Sequence, residues 1–112
     1  MDCDFAEIVV VPFPFVDGLQ VKRRPALVLS NRVFNRKNGH TALAMVTTGA
    51  GSHWPSDIVI ENLEGTGLDH ASLIRWKVFT LPNELILRKL GSLSQITAEM
   101  VSTALRNTFG HS

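Results

Sequence analysis

Lys22-Arg23-Arg24-Pro25 sets adjacent cations at the mouth of the apolar run Ala26-Leu27-Val28-Leu29. Proline has no N–H to give to a strand ladder, so Pro25 belongs at a strand's first residue or on an edge. It also pushes the residue before it into extended conformations, which holds Arg24 in a defined direction where loop becomes sheet. A guanidinium fixed there is able to grip a phosphate through two parallel hydrogen bonds. The competing reading is a solvated charge run at a loop end. His53 and His70 supply the residue type whose charge changes near working pH, as proton transfer requires, though each also fits an ordinary surface histidine. Trp54, beside His53, fits either a hydrophobic lid or a stacking platform for an unpaired base, a contact worth about 1–3 kcal/mol. Gly65-Thr66-Gly67 is not a nucleotide loop, because no strand–helix unit surrounds it. No His, Asp or Glu spacing suggests a metal site, and no cofactor is called for.

Composition bounds the rest. The 112 residues fit one domain, residues 1–112, and 45% hydrophobic content supports a packed core. A single cysteine, Cys3, excludes an internal disulfide framework and suits a reducing, cytoplasmic setting. The apolar stretch 8–16 is too short, and too broken by Pro12 and Pro14, to span a membrane. Net charge is only +1, but its distribution is uneven. Residues 18–56 contain no Asp or Glu while holding Lys22, Arg23, Arg24, Arg32, Arg36 and Lys37. Asp57, Glu61, Glu64 and Asp69 follow with no intervening Lys or Arg. Such separation predicts one anion-attracting face, unless the fold intermixes these charges in space.

The elements that must position these side chains follow from periodicity. Residues 7–15 predict a first strand, with the prolines marking an edge or a bend. Asp17-Gly18 signals a hairpin turn, and 21–29 a second strand whose unbroken apolar run 26–29 is expected to be buried on both faces. Ser30 is placed to cap a short helical turn through Arg36 that Gly39 ends. Residues 40–47 predict a third strand, 48–56 a long loop and 57–61 a short strand. A longer strand covers 72–81, with Leu73, Arg75, Lys77 and Phe79 on one side and Ile74, Trp76, Val78 and Thr80 on the other. Trp76 there fits core or a dimer interface. Residues 82–87 suit one helical turn, and 94–109 form the clearest helix, capped by Ser94 or Thr97 and ended by Gly110. The result is a mainly β fold with a C-terminal helix (α+β): a small, strongly bent sheet or open barrel.

Four blocks together resemble the MazF/PemK family of toxin endoribonucleases, most closely its PemK-like branch. They are Ile8-Val9-Val10-Val11-Pro12-Phe13-Pro14-Phe15-Val16-Asp17, Lys22 through Ser30, Ala44-Met45-Val46-Thr47-Thr48, and Gly67-Leu68 through Ser72-Leu73-Ile74-Arg75 to Thr80-Leu81. Arg88-Lys89-Leu90-Gly91-Ser92-Leu93-Ser94 also looks like the family's ending. The resemblance implies an SH3-like barrel of about five to seven strands, paired as a homodimer. It implies metal-independent, sequence-selective cleavage of single-stranded RNA to a 2′,3′-cyclic phosphate and a 5′-hydroxyl, with growth arrest until a cognate antitoxin covers the RNA groove. DNA binding is implied only for the toxin–antitoxin complex. The family's arginine before proline matches Arg24, and the threonine closing its third strand matches Thr47, or Thr48 if the register slips by one. Asp17, Lys22, Arg23, His53, Trp54, His70, Ser72 and Arg75 are then the candidates for holding substrate.

The chain departs from the family pattern where some members carry an arginine and an acid around positions 72 and 74. Here stand Ser72 and Ile74, with Arg75 the nearest charged substitute. In this chemistry the RNA's own 2′-hydroxyl is the nucleophile. The protein must take its proton, steady charge on the phosphoryl oxygens and protonate the departing 5′-oxygen. Arg24 suits the second task and Thr47 could orient an oxygen, but arginine stays protonated and makes a poor base. The missing pair keeps a second class open: a catalytically inactive SH3-like module that binds RNA or protein. A stand-alone DNA-binding regulator fits less well, since no helix is rich in base-reading side chains.

Overall fold

A computed structural model describes residues 1–13 and 22–110, so the Asp17-Gly18 turn and His111 lie outside the described residues. The alternating apolar residues of Glu7–Phe13 form β1, and Lys22–Val28 form β2. After them come α1 (Arg32–Asn38), β3 (His40–Thr47), β4 (Ile58–Ile60), β5 (Ser72–Pro82), a 3-10 turn at Asn83–Leu85, β6 (Arg88–Ser92) and α2 (Gln95–Thr108). The six strands make one curled antiparallel sheet, a half-barrel, in the order β4-β5-β3-β2-β1-β6. No described helix is long and apolar enough to cross a membrane.

Period-two alternation sends side chains to two separate cores, one on each face of the sheet. Ile8, Leu27, Ala44, Val46, Ile74 and Trp76 pack on one face, with Val101 of α2 against them. Val9, Val11, Phe13, Ala26, Val28, Leu43 and Leu81 pack on the other. Because β1 to β3 contribute to both, 26–29 reads as an unbroken apolar run rather than an alternating one. Each such fully buried Val or Leu contributes about 1.5–3 kcal/mol. Trp76 is a core residue in the chain as it stands.

Several local signals differ in detail from the sequence expectation. Asn31, not Ser30, caps α1: its side-chain oxygen accepts from the Phe34 N–H at 2.9 Å. Ser30 instead bonds Asn35, whose buried amide donates to the Cys3 and Ser30 carbonyls at 3.0 and 3.1 Å. Gly39 ends the helix with φ 67°, the left-handed conformation that favours glycine. The two faces of β5 fall as expected, except that the register slips opposite Ala44 and Met45. That irregularity leaves Lys77 and Val78 at the surface. The strand β6 is an addition: residues 88–92 pair with β1 and close that edge of the sheet.

Candidate active site

Arg24 sits on β2 opposite Val11 of β1, while Thr47 is the last residue of β3 and pairs with Leu73 of β5. These strand ends open into a cavity of about 310 Å³. Its walls bring together Arg24, Thr47, Thr48, His70 and Ser72, with Asp69 and Arg88 added. Arg24 is half-buried, and its Nε is buried with no hydrogen-bond partner among the described residues. Among the described residues it makes no ion pair, although the Asp69 carboxylate lines the same cavity.

Thr47 Oγ1 accepts from the Gly49 N–H at 3.2 Å, which turns the chain into the next loop and leaves the hydroxyl proton available to donate. Thr48 is exposed and lines the same cavity. Ser72 is nearly buried, and its hydroxyl donates to the His70 carbonyl at 2.8 Å. That bond shapes the backbone beneath His70. The histidine ring itself belongs to an exposed residue on the cavity wall.

The wall bearing Asp69 and His70 is fastened to β6. The Ser92 N–H donates to the Gly65 carbonyl at 2.8 Å, and the fully buried Thr66 donates its hydroxyl to the Leu63 carbonyl at 2.6 Å. A Cβ on Gly91 would collide with the Gly65 carbonyl oxygen, and one on Gly67, at φ +75°, with the Leu90 carbonyl. Gly65-Thr66-Gly67 is thus a brace for the wall.

Arg75, Trp54 and His53 stand apart from this cavity. The Arg75 guanidinium forks onto Asp57, Nε to Oδ1 at 3.1 Å and Nη2 to Oδ2 at 2.8 Å. Its remaining amine donates to Ser52 Oγ at 2.8 Å. That guanidinium lies 5.4 Å from the Trp54 ring centroid, and Trp54 remains 37% exposed. The donated hydrogen bonds hold the Asp57 carboxyl below the usual carboxylate range, and raise Arg75 in turn. Arg75 therefore ties down the 48–57 loop and does not reach the cavity as a charged substitute for the family's arginine.

Lys22 and Arg23 are exposed on β2, and Arg23 borders a second concavity that shares Arg24 with the first. Asp17 lies outside the described residues. Arg88 and Asp69 are the cavity residues that sequence reasoning missed. The only signal for Arg88 was its place in the family-like ending, and the one for Asp69 was its position beside His70. Cys3 is free and buried, and burial pushes its thiol up. Among the described residues no group of three or more His, Cys, Asp or Glu side chains is arranged to hold a metal.

A sequence model described as PemK-like, MazF-like toxin of type II toxin–antitoxin system matches residues 4–109. Solved structures share the fold. MazF from Deinococcus radiodurans superposes with a TM-score of 0.75 at 22% identity, covering 98% of each chain. The MazE–MazF complex from the same organism gives 0.77 at 20% identity over 100% of both chains. An endoribonuclease from a mycobacterial species, solved with its cognate antitoxin, gives 0.75 at 17% identity, covering 97% of this chain and 94% of that one. A comparison with curated proteins gives no match.

Proposed function

Because the chain belongs to the PemK-like, MazF-like toxin family of type II toxin–antitoxin systems, we propose that it is a metal-independent endoribonuclease that cuts single-stranded RNA and arrests growth. The observation that carries this reading is the meeting of Arg24, Thr47 and His70 in one cavity. In the reaction the RNA's 2′-oxygen attacks the adjacent phosphorus and loses its proton. The bond to the 5′-oxygen breaks, that oxygen takes up a proton, and a 2′,3′-cyclic phosphate and a 5′-hydroxyl remain. Arg24 stabilises the charge developing on the phosphoryl oxygens, commonly the largest catalytic contribution. Thr47 donates to a phosphoryl oxygen or orients the attacking hydroxyl. His70, on the cavity wall, is the side chain assigned to proton transfer.

The test compares wild type with Arg24→Ala on a mixed RNA pool in the presence of a chelator. Cleavage by wild type and a loss of roughly 10²–10³ in rate for the variant are expected. Equal cleavage by both would remove Arg24 from the mechanism. The second reading, an inactive binding module, is favoured by the engagement of Arg75 with Asp57, which leaves the missing family arginine unreplaced. Expression in a growing host separates the two, because a mere binding module is tolerated.

The proposed setting is cytoplasmic, with a cognate antitoxin as partner. The active form is a homodimer, in keeping with exposed apolar side chains such as Val78 on β5. Sedimentation as a stable monomer at micromolar concentration would contradict the dimer.

A further inference from the structure

Arg88 borders two concavities at once. One is the cavity of Arg24, Thr47 and His70; the other, about 450 Å³, is lined by Val10, Arg23, Arg24, Pro25, Leu87 and Arg88. Strand register explains the sharing. Val10 of β1 pairs with Pro25 on β2 and with Arg88 on β6, so both arginine-bearing strands flank the same rung. The neighbouring Lys89 pairs instead opposite Val9, and its ammonium is neutralised by Glu7 at 2.6 Å. Arg23, Arg24 and Arg88 have no such carboxylate among the described residues, and no acidic side chain lines the second concavity. Like charges gathered without a counter-ion in a concave surface focus a field that attracts an anion. Guanidinium forks, moreover, match a phosphate's paired oxygens better than a lysine's point charge does.

We propose that this second concavity is a phosphate subsite, holding the phosphodiester next to the scissile one, with Arg88 and Arg23 as its binding residues. The proposal rests on the nuclease reading and deepens it. Arg24 serves the reacting phosphate, while Arg88 fixes the register of the strand and takes no part in the bond changes.

The test measures binding of a 2′-O-methyl single-stranded RNA, which lacks the nucleophile, across a salt series, together with cleavage of the unmodified RNA. Each phosphate contact on a single strand adds about 0.7 to the slope of log affinity against log salt. Arg88→Ala is expected to lower that slope by about 0.7, so that its affinity falls about threefold less than wild type between 50 and 200 mM salt. Arg88→Lys should keep most of the slope. In cleavage, Arg88→Ala should raise KM with kcat little changed, whereas Arg24→Ala lowers kcat. Arg88 is exposed, and an unchanged melting temperature verifies that the variant is folded. Wild type that binds and cleaves RNA while Arg88→Ala keeps the full slope would overturn the subsite and leave the nuclease reading standing. Wild type that neither binds nor cleaves would overturn both. Competition by poly-glutamate that depends on Arg88, with the RNA slope unchanged, would assign the groove to an acidic protein segment and overturn the proposal.

Discussion

Arg75 and Asp57 are joined at two points, and both side chains are almost wholly removed from solvent, at 8% and 2% exposure. The pair connects the middle of β5 to the end of the 48–57 loop. It also sets the platform on which Trp54 lies.

Replacing Asp57 by Asn should lower the melting temperature by about 5 °C or more, in a pH-dependent way. The folded carboxyl is depressed below its unfolded value of about 3.9. Its stabilisation is therefore complete above that value and is lost as pH falls through the lower folded value. The gap between wild type and Asp57→Asn should be constant from about pH 5 upward and close below about pH 4. Thermal melts across that range check this, and a gap independent of pH would refute it.

Only one of the two loop histidines lines the cavity. His70→Gln should reduce kcat by roughly 10²–10⁴, the usual span for a general acid or base, while His53→Gln changes it no more than a few-fold. Single-turnover cleavage rates decide between them. Equal, small effects would exclude both loop histidines as the proton carrier.

Gly91→Ala and Gly67→Ala should each destabilise the fold by about 1–3 kcal/mol, since backbone atoms occupy the space a Cβ would need. Both should also depress cleavage by moving the segment that carries Asp69 and His70. Denaturant midpoints paired with rates read this out, and a full-rate, full-stability Gly91→Ala would refute the brace.

Trp54→Ala tests the stacking platform. Loss of a base contact should weaken binding of single-stranded RNA by about 1–3 kcal/mol with the salt slope unchanged, because stacking releases no counter-ions. Unaltered affinity would leave Trp54 as a cover for Arg75 only.

Much of the scaffold was legible because periodicity and local caps wrote it. Residues 40–47 read as one strand and are one, and Ser94 caps α2 by accepting from the Thr97 N–H at 3.3 Å. The strand β6 was not legible, since Arg-Lys-Leu-Gly-Ser has no β-branched residue and owes its conformation to pairing with β1. Arg24, Thr47 and His70 were legible as types, with the family resemblance selecting two of them. The role of Arg75 was hidden because its partner lies eighteen residues away and nothing local links them. Arg88 escaped notice for the same reason: its neighbours belong to strands far earlier in the chain.

The pairing of the first strand with the last has a temporal consequence. The cleft lacks Arg88 and the support behind His70 until residues 88–92 have paired with β1. The cavity therefore depends on a contact between two segments distant in sequence, and its walls are complete only in a chain folded through β6.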